Sequence, residues 1–238
     1  MSVGWTQVAL AGVWGGLVAV ERKAFLQAMF SRPLVAATAM GLLLNDVPSG
    51  LFIGMLLELF HLGTANLGAS LPDNDTLSAT GTSAAAATMA AATGAGSTPA
   101  LWSIAILLFI GLARVGLRVD RVLERYSSRL ARKAMASAEA GQLTRAMQQN
   151  LWGMWPHFAI FGAITAACAL AGFFLGPLLE RLPLPVLRGL AWAYPAMASV
   201  AASIAARGSH ARRAPLFAGL GAGLVSLAVG LVLLRGCL

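Results

Sequence analysis

Few side chains in this sequence could do chemistry, and those that could stand among apolar neighbours. Glu58 lies in Leu51–Leu62, an otherwise apolar run that also carries His61. Placing a carboxylate near the centre of a bilayer costs about 2.5–3.5 kcal/mol on insertion scales, so such a residue faces a bundle interior or an aqueous path. Two roles fit it. It is either an acceptor for a polar solute (or for a proton), or a structural partner for an arginine of another helix. His61, three residues on, shares a helix face with Glu58 and is expected behind it, supporting the site rather than touching the solute. Asn66, Asp73, Asn74, Asp75 and Thr76 follow, interrupted by Gly63, Gly68 and Pro72. Amides and carboxylates on irregular backbone supply the donors and acceptors that a polyol needs. The same residues also build ordinary solvated turns, and composition alone favours the turn.

Other reactive patterns are missing from the sequence. It holds no Gly-x-x-x-x-Gly-Lys phosphate cradle, no Cys-x-x-Cys and no nucleophile elbow. One His beside one Glu falls short of a tetrahedral metal site. His157 and His210 stand near the ends of apolar segments, and Cys168 and Cys237 give neither a disulfide framework nor metal spacing. No catalytic residue, metal or cofactor is therefore expected.

The elements that must position Glu58 are membrane elements. The chain is 58% hydrophobic and 11% charged, against about 25% charged in soluble domains, too little to cover a water-facing surface. A spanning helix needs roughly 20 apolar residues. Val3–Val20, Leu101–Leu117, Pro156–Leu179 and Pro215–Leu234 approach that length, and Val186–Ala206 joins them with Pro195 inside it. The first run has its charges, Glu21-Arg22-Lys23, after it rather than before, the reverse of a signal peptide, so it reads as a retained membrane segment.

Between Pro33 and Ala95 the pattern changes. Pro33–Leu44 and Leu51–Leu62 are apolar but short, and Asn45-Asp46-Val47-Pro48-Ser49-Gly50 between them is a turn by composition. Two short halves around a turn predict a re-entrant hairpin or broken helices, which survive at membrane depth only where protein or a wet cavity covers the backbone. The expected fold is all-α, a polytopic membrane protein of spanning helices plus such hairpins, forming a single domain over residues 1–238. Small-residue runs, such as Ala84–Ala92 and the pair Gly219 and Gly223, read as helix-packing faces.

Charge placement supplies an orientation. Fourteen of the seventeen Lys and Arg residues fall in loops that this course puts on one side, with Arg181, Arg188 and Arg235 on the other. The basic side is cytoplasmic by the positive-inside rule, which leaves both termini outside. Arg114, Arg118, Arg121, Arg125, Arg129 and Arg132 recur every three or four residues, so residues 114–150 are expected to form a basic cytoplasmic loop with an amphipathic helix. Such a stripe suits the anionic surface of the bilayer, at about 1 kcal/mol per cation. Its place between spans argues against nucleic acid.

The stretch from Glu21 to Leu77 resembles the IIC component of the mannose/fructose/sorbose phosphotransferase system (PTS) family. The features that carry the likeness are Ser-Arg-Pro-Leu at 31–34, Gly-x-x-Leu-x-Asp at 41–46 and Gly-x-x-Leu-Glu-Leu at 54–59. Leu62–Ala69 and the Pro72–Asn74 turn close the pattern, and Gly141–Thr144 is a weaker echo. The resemblance implies a sugar permease of the cytoplasmic membrane that works with a IID membrane subunit, in an oligomeric assembly. It further implies that a phosphoryl group reaches the sugar through soluble IIA and IIB proteins, whose histidines carry it. Carried over by position, Glu58, Asn66, Asp73, Asn74 and Asp75 would line the sugar path. His61 stands where family sequences often have an aromatic residue. The alternatives on residues alone are a proton-coupled secondary transporter and a non-transporting scaffold or sensor.

Overall fold

The Ala/Thr/Ser run after Asp75 forms the centre of the molecule. The computed structural model describes residues 4–23, 25, 27–62, 73–94, 96–208 and 213–236, and among them the regular structure is entirely helical. The run is helix α4, Asp75–Thr93, buried without a break from Thr76 to Ala90. Its small side chains let neighbouring backbones come close, the usual basis of helix association in lipid. On α8, Trp155–Leu179, Gly172 lies against Ala85 and Thr88, and Gly176 against Met89 and Ala92. The other side of α8 meets α1, Trp5–Lys23, where a Cβ on Gly162 would stand 2.7 Å from the Gly12 carbonyl oxygen. Several hydroxyls in these helices bond their own backbone one turn back. Thr80, Thr88 and Thr165 donate to the carbonyls of Thr76, Ala84 and Phe161 at 2.9 Å each, so these three hydroxyls enter the core already paired.

Helices α2, Pro33–Leu43, and α3, Val47–Leu62, pack against each other as a hairpin. At 1.5 Å per residue they are about 16 and 24 Å long, against about 30 Å of hydrocarbon. Neither crosses alone. Asn45 makes the turn in left-handed backbone, φ 60°. Gly41 and Gly50 allow the two helices to touch, since a Cβ on Gly41 would lie 3.0 Å from the Gly50 Cα. The second half begins four residues before the Leu51 that the apolar run suggested. The Asp46 carboxylate accepts the Ser49 N–H at 3.3 Å, and Pro48 in the first turn has no N–H to satisfy, which together start a helix there.

After the Thr98 cap come α5, Pro99–Phe109, and α6, Leu112–Glu139. The expected span Leu101–Leu117 is thus interrupted by a turn at Ile110–Gly111. Pro99–Glu139 and Leu143–Leu179 are the stretches, among the described residues, long and apolar enough to cross a membrane by length and composition. Past Leu123, α6 buries nothing more, nor does α7, Leu143–Trp152, and the six stripe arginines are all exposed. Finally α9, Leu184–Ala205, pairs with α10, Ala214–Gly236. Gly219 and Gly223 form that contact, against Ser199 and Ser203. An aromatic group ties α9 to the hairpin: Phe52 stacks on Trp102 at 4.5 Å, and Tyr194 meets Trp102 edge-on at 5.3 Å. The Tyr194 hydroxyl donates to the Phe52 carbonyl, and the Trp102 indole N–H donates to Ser49 Oγ, both at 2.9 Å.

Candidate functional site

The polar residues gather where α1 ends, the α2–α3 hairpin begins and α4 starts. Arg22, in the last turn of α1, donates through Nη1 to Asp120 Oδ2 on α6 at 2.9 Å, and its Nε lies 3.8 Å from Asp75 Oδ1. Its Nη2 reaches the Asp73 carbonyl oxygen at 3.5 Å. Lys23 beside it pairs with Glu124, one turn further along α6, at 3.0 Å. Asn74 caps α4: its Oδ1 accepts the Leu77 N–H at 2.9 Å, and its Nδ2 donates to Asp120 at the same distance. Its own N–H donates to the Ala113 carbonyl at 3.0 Å. Gly116 on α6 leaves room for this, because a Cβ there would stand 2.5 Å from the Asn74 Cβ. Asp120 is 1% exposed, so its charge depends on Arg22. It also lines a cavity of about 10 Å³ with Arg22, Thr76 and Thr80, room for a single water.

The hairpin base adjoins this group through Ser31 and Arg32. The Ser31 N–H donates to Glu21 Oε2 at 2.9 Å, and the Thr76 hydroxyl donates to the Ser31 carbonyl at 2.8 Å. The next residue, Arg32, pairs with Glu58 at 3.1 Å. The second Glu58 oxygen accepts the Leu34 N–H at 3.3 Å, so the carboxylate holds the first turn of α2, where a negative charge is favoured by the helix dipole. The pair is partly open: the Arg32 side chain is 48% exposed and that of Glu58 17%. His61, one turn beyond Leu57 on α3, shares a ring nitrogen with the Leu57 carbonyl at 2.8 Å and stands edge-on to Phe60.

Of the residues that sequence singled out, Asp73 and Asp75 meet Arg22 directly, and Asn74 joins them through Asp120. Glu58 lies with Arg32 at the neighbouring hairpin base. Asn66 falls outside the described residues. Among the described residues no three metal-ligating side chains cluster.

A family model described as the PTS system sorbose-specific IIC component matches residues 5–204, from α1 to the end of α9. The chain belongs to this family.

Among the relatives of this IIC chain is the PTS system sorbose-specific EIIC component of Lacticaseibacillus casei, 32% identical over 80 residues. That match spans 34% of this chain and 28% of the relative. Two solved structures share the fold. One, described as a membrane protein, aligns with a TM-score of 0.68 at 21% identity over 98% of this chain and 95% of its own. The other is the mannose transporter ManYZ in complex with microcin E492, with a TM-score of 0.59 at 22% identity over 99% and 95%. The IIC chain is thus all-helical among the described residues and shares the fold of these membrane proteins.

Sequence reasoning missed Arg22 and Asp120, which are 98 positions apart. A signal was present: Asp120 and Glu124, four apart on α6, are acidic residues in a basic helix and match the adjacent cations Arg22 and Lys23. Asp46 was also missed. Its Oδ1 accepts the Ser97 hydroxyl at 2.6 Å, fixing the hairpin tip to the segment between α4 and α5.

Proposed function

We propose that this chain is the sugar-translocating subunit of a phosphoenolpyruvate-dependent PTS complex, carrying a hexose-like sugar across the cell membrane while IIB phosphorylates it. A IID subunit is its membrane partner, and IIA and IIB carry the phosphohistidines. The observation that carries this reading is the family match over residues 5–204, a range that takes in the hairpin and the start of α4. It is supported by a carboxylate, Glu58, held at the base of a hairpin too short to span. The protein is multi-pass, a single domain whose arginine-rich 114–150 region lies in the cytoplasm, with fourteen of the seventeen cations on that side.

The sugar binds among Glu58, Asn66 and the Asp73–Asp75 turn, with His61 behind Glu58. Its hydroxyls compete with Arg32 for the Glu58 carboxylate. An ion pair this open contributes about 0–1 kcal/mol, so loosening it is cheap. The hairpin then moves against the α1–α4–α8 scaffold, whose Asp75 end stays fixed by the Arg22–Asp120 pair. Transfer of the phosphoryl group places nearly two negative charges on the sugar. Beside Glu58 and Asp75 that product is repelled and leaves towards the cytoplasm. No group on this chain takes part in the transfer. The test is uptake of labelled hexose by vesicles that contain all the subunits. Uptake should require phosphoenolpyruvate; uptake that ignores it sinks the coupled mechanism.

A second reading has its own observation. Both Glu58 oxygens already have protein partners, as a purely structural clamp would. On that reading the chain is a scaffold, and Glu58→Gln alters assembly while leaving uptake untouched.

A further inference from the structure

At the end of α4 away from Arg22, the molecule has an apolar cleft of about 570 Å³ between the α4–α5 segment and the α8–α9 turn. Its walls include Leu101, Leu179, Leu184, Leu187 and Trp192. Glu180 and Arg188 also line it. Both are exposed, and among the described residues neither side chain has an ion-pair or hydrogen-bond partner. Two opposite charges thus share one mouth without neutralising each other, above a floor that is nearly all hydrocarbon.

The helix ends around the mouth repeat this polarity. The first turns of α5 and α9 bring positive dipole ends, and α9 has no side-chain cap. Glu180 sits on the C-terminal, negative end of α8. A negative group is favoured over Arg188 and the α9 first turn, a positive one over Glu180 and the α8 carbonyls. Trp192, two turns into α9, is 59% exposed, and tryptophan is enriched where headgroups meet tails.

We propose that this cleft binds one zwitterionic phospholipid. An acyl chain lies along Leu101, Leu187 and Trp192, with the phosphate on Arg188 and the ammonium on Glu180. The site is separate from the proposed sugar path and does not depend on it.

The full chain, co-purified with its membrane partner, is reconstituted in vesicles that contain either phosphatidylethanolamine or phosphatidylglycerol brominated on the acyl chain. Subtracting the signal of Trp192→Phe isolates Trp192 quenching. We expect half-maximal quenching at about three- to tenfold lower mole fraction of the zwitterionic lipid, the range for charge-assisted contacts at a half-open site. Glu180→Gln should abolish that preference, and Arg188→Gln should weaken quenching by both lipids, since both lipids carry the phosphate. Since both side chains are exposed, folding is checked by elution volume and the retained lipid is counted by native mass spectrometry. Equal quenching by the two lipids means a non-selective annulus and overturns the proposal. So does absence of quenching by either lipid, which would mean that a protein covers the cleft.

Discussion

The two ends of α4 are secured by different physics. At the Asp75 end, Arg22, Asp120, Asn74 and Lys23–Glu124 bind three helices through charge and hydrogen bonds at about 3 Å. At the Thr93 end α4 stops on Gly94 in left-handed backbone, φ 66°, and the neighbouring contacts are glycines against small side chains and an open apolar cleft. A charged end resists sliding, because separating buried ions leaves each without a partner. An apolar end can shift so long as its packing volume is kept. In the proposed mechanism the Arg22 end serves as the fixed reference and the hairpin, tied to it through Ser31 and to the far end through Asp46, as the element that moves.

The sharpest way to break this contrast is to remove the buried charge. Asp120→Ala leaves Arg22 only its longer contacts with Asp75 and the Asp73 carbonyl and should cost up to about 3–5 kcal/mol, seen as a large fall in the thermal midpoint of the detergent-purified complex. A loss below about 1 kcal/mol would mean that the ion pair does not fix that end. Next comes crowding on the packed side: Gly172→Val drives methyl groups into Ala85 and Thr88 and should cost about 1–3 kcal/mol, without disturbing the charged end. The smallest effect belongs to the hairpin tip. Ser97→Ala removes one hydrogen bond to Asp46, at about 1 kcal/mol. Hydrogen exchange should rise in residues 41–50 and stay unchanged around Asn74.

Much of this fold is legible in the sequence because apolar length and turn chemistry are local properties. Pro33, the Asn45-Asp46 turn and the short flanking runs predict a hairpin, and the structure has one. Helices α8, α9 and α10 begin within two residues of the apolar runs expected there. The break at Ile110–Gly111 was hidden because apolar residues continue on both sides of it. The site was harder to see for a different reason. A buried ion pair is a relation between distant residues, and the only hint of Asp120 is that it and Glu124 match the adjacent cations Arg22 and Lys23. Asn74 was legible as a polar turn residue, yet its work as the α4 cap and as the partner of Asp120 needs the approach of α6 at Gly116. Glu58 was legible as an ion among apolar residues with two roles open to it. Its contacts with Arg32 and Leu34 depend on how α2 and α3 fold together.

The central claim is that the Glu58 carboxylate serves the solute as well as the hairpin. Glu58→Gln keeps the shape and the Leu34 contact but removes the charge, at under about 1 kcal/mol of stability for so open a pair. In the assembled complex, hexose binding should fall about 10- to 100-fold, the worth of one hydrogen bond to a charged group, with elution and thermal midpoint nearly unchanged. Unaltered binding by a correctly assembled Glu58→Gln complex would contradict the account.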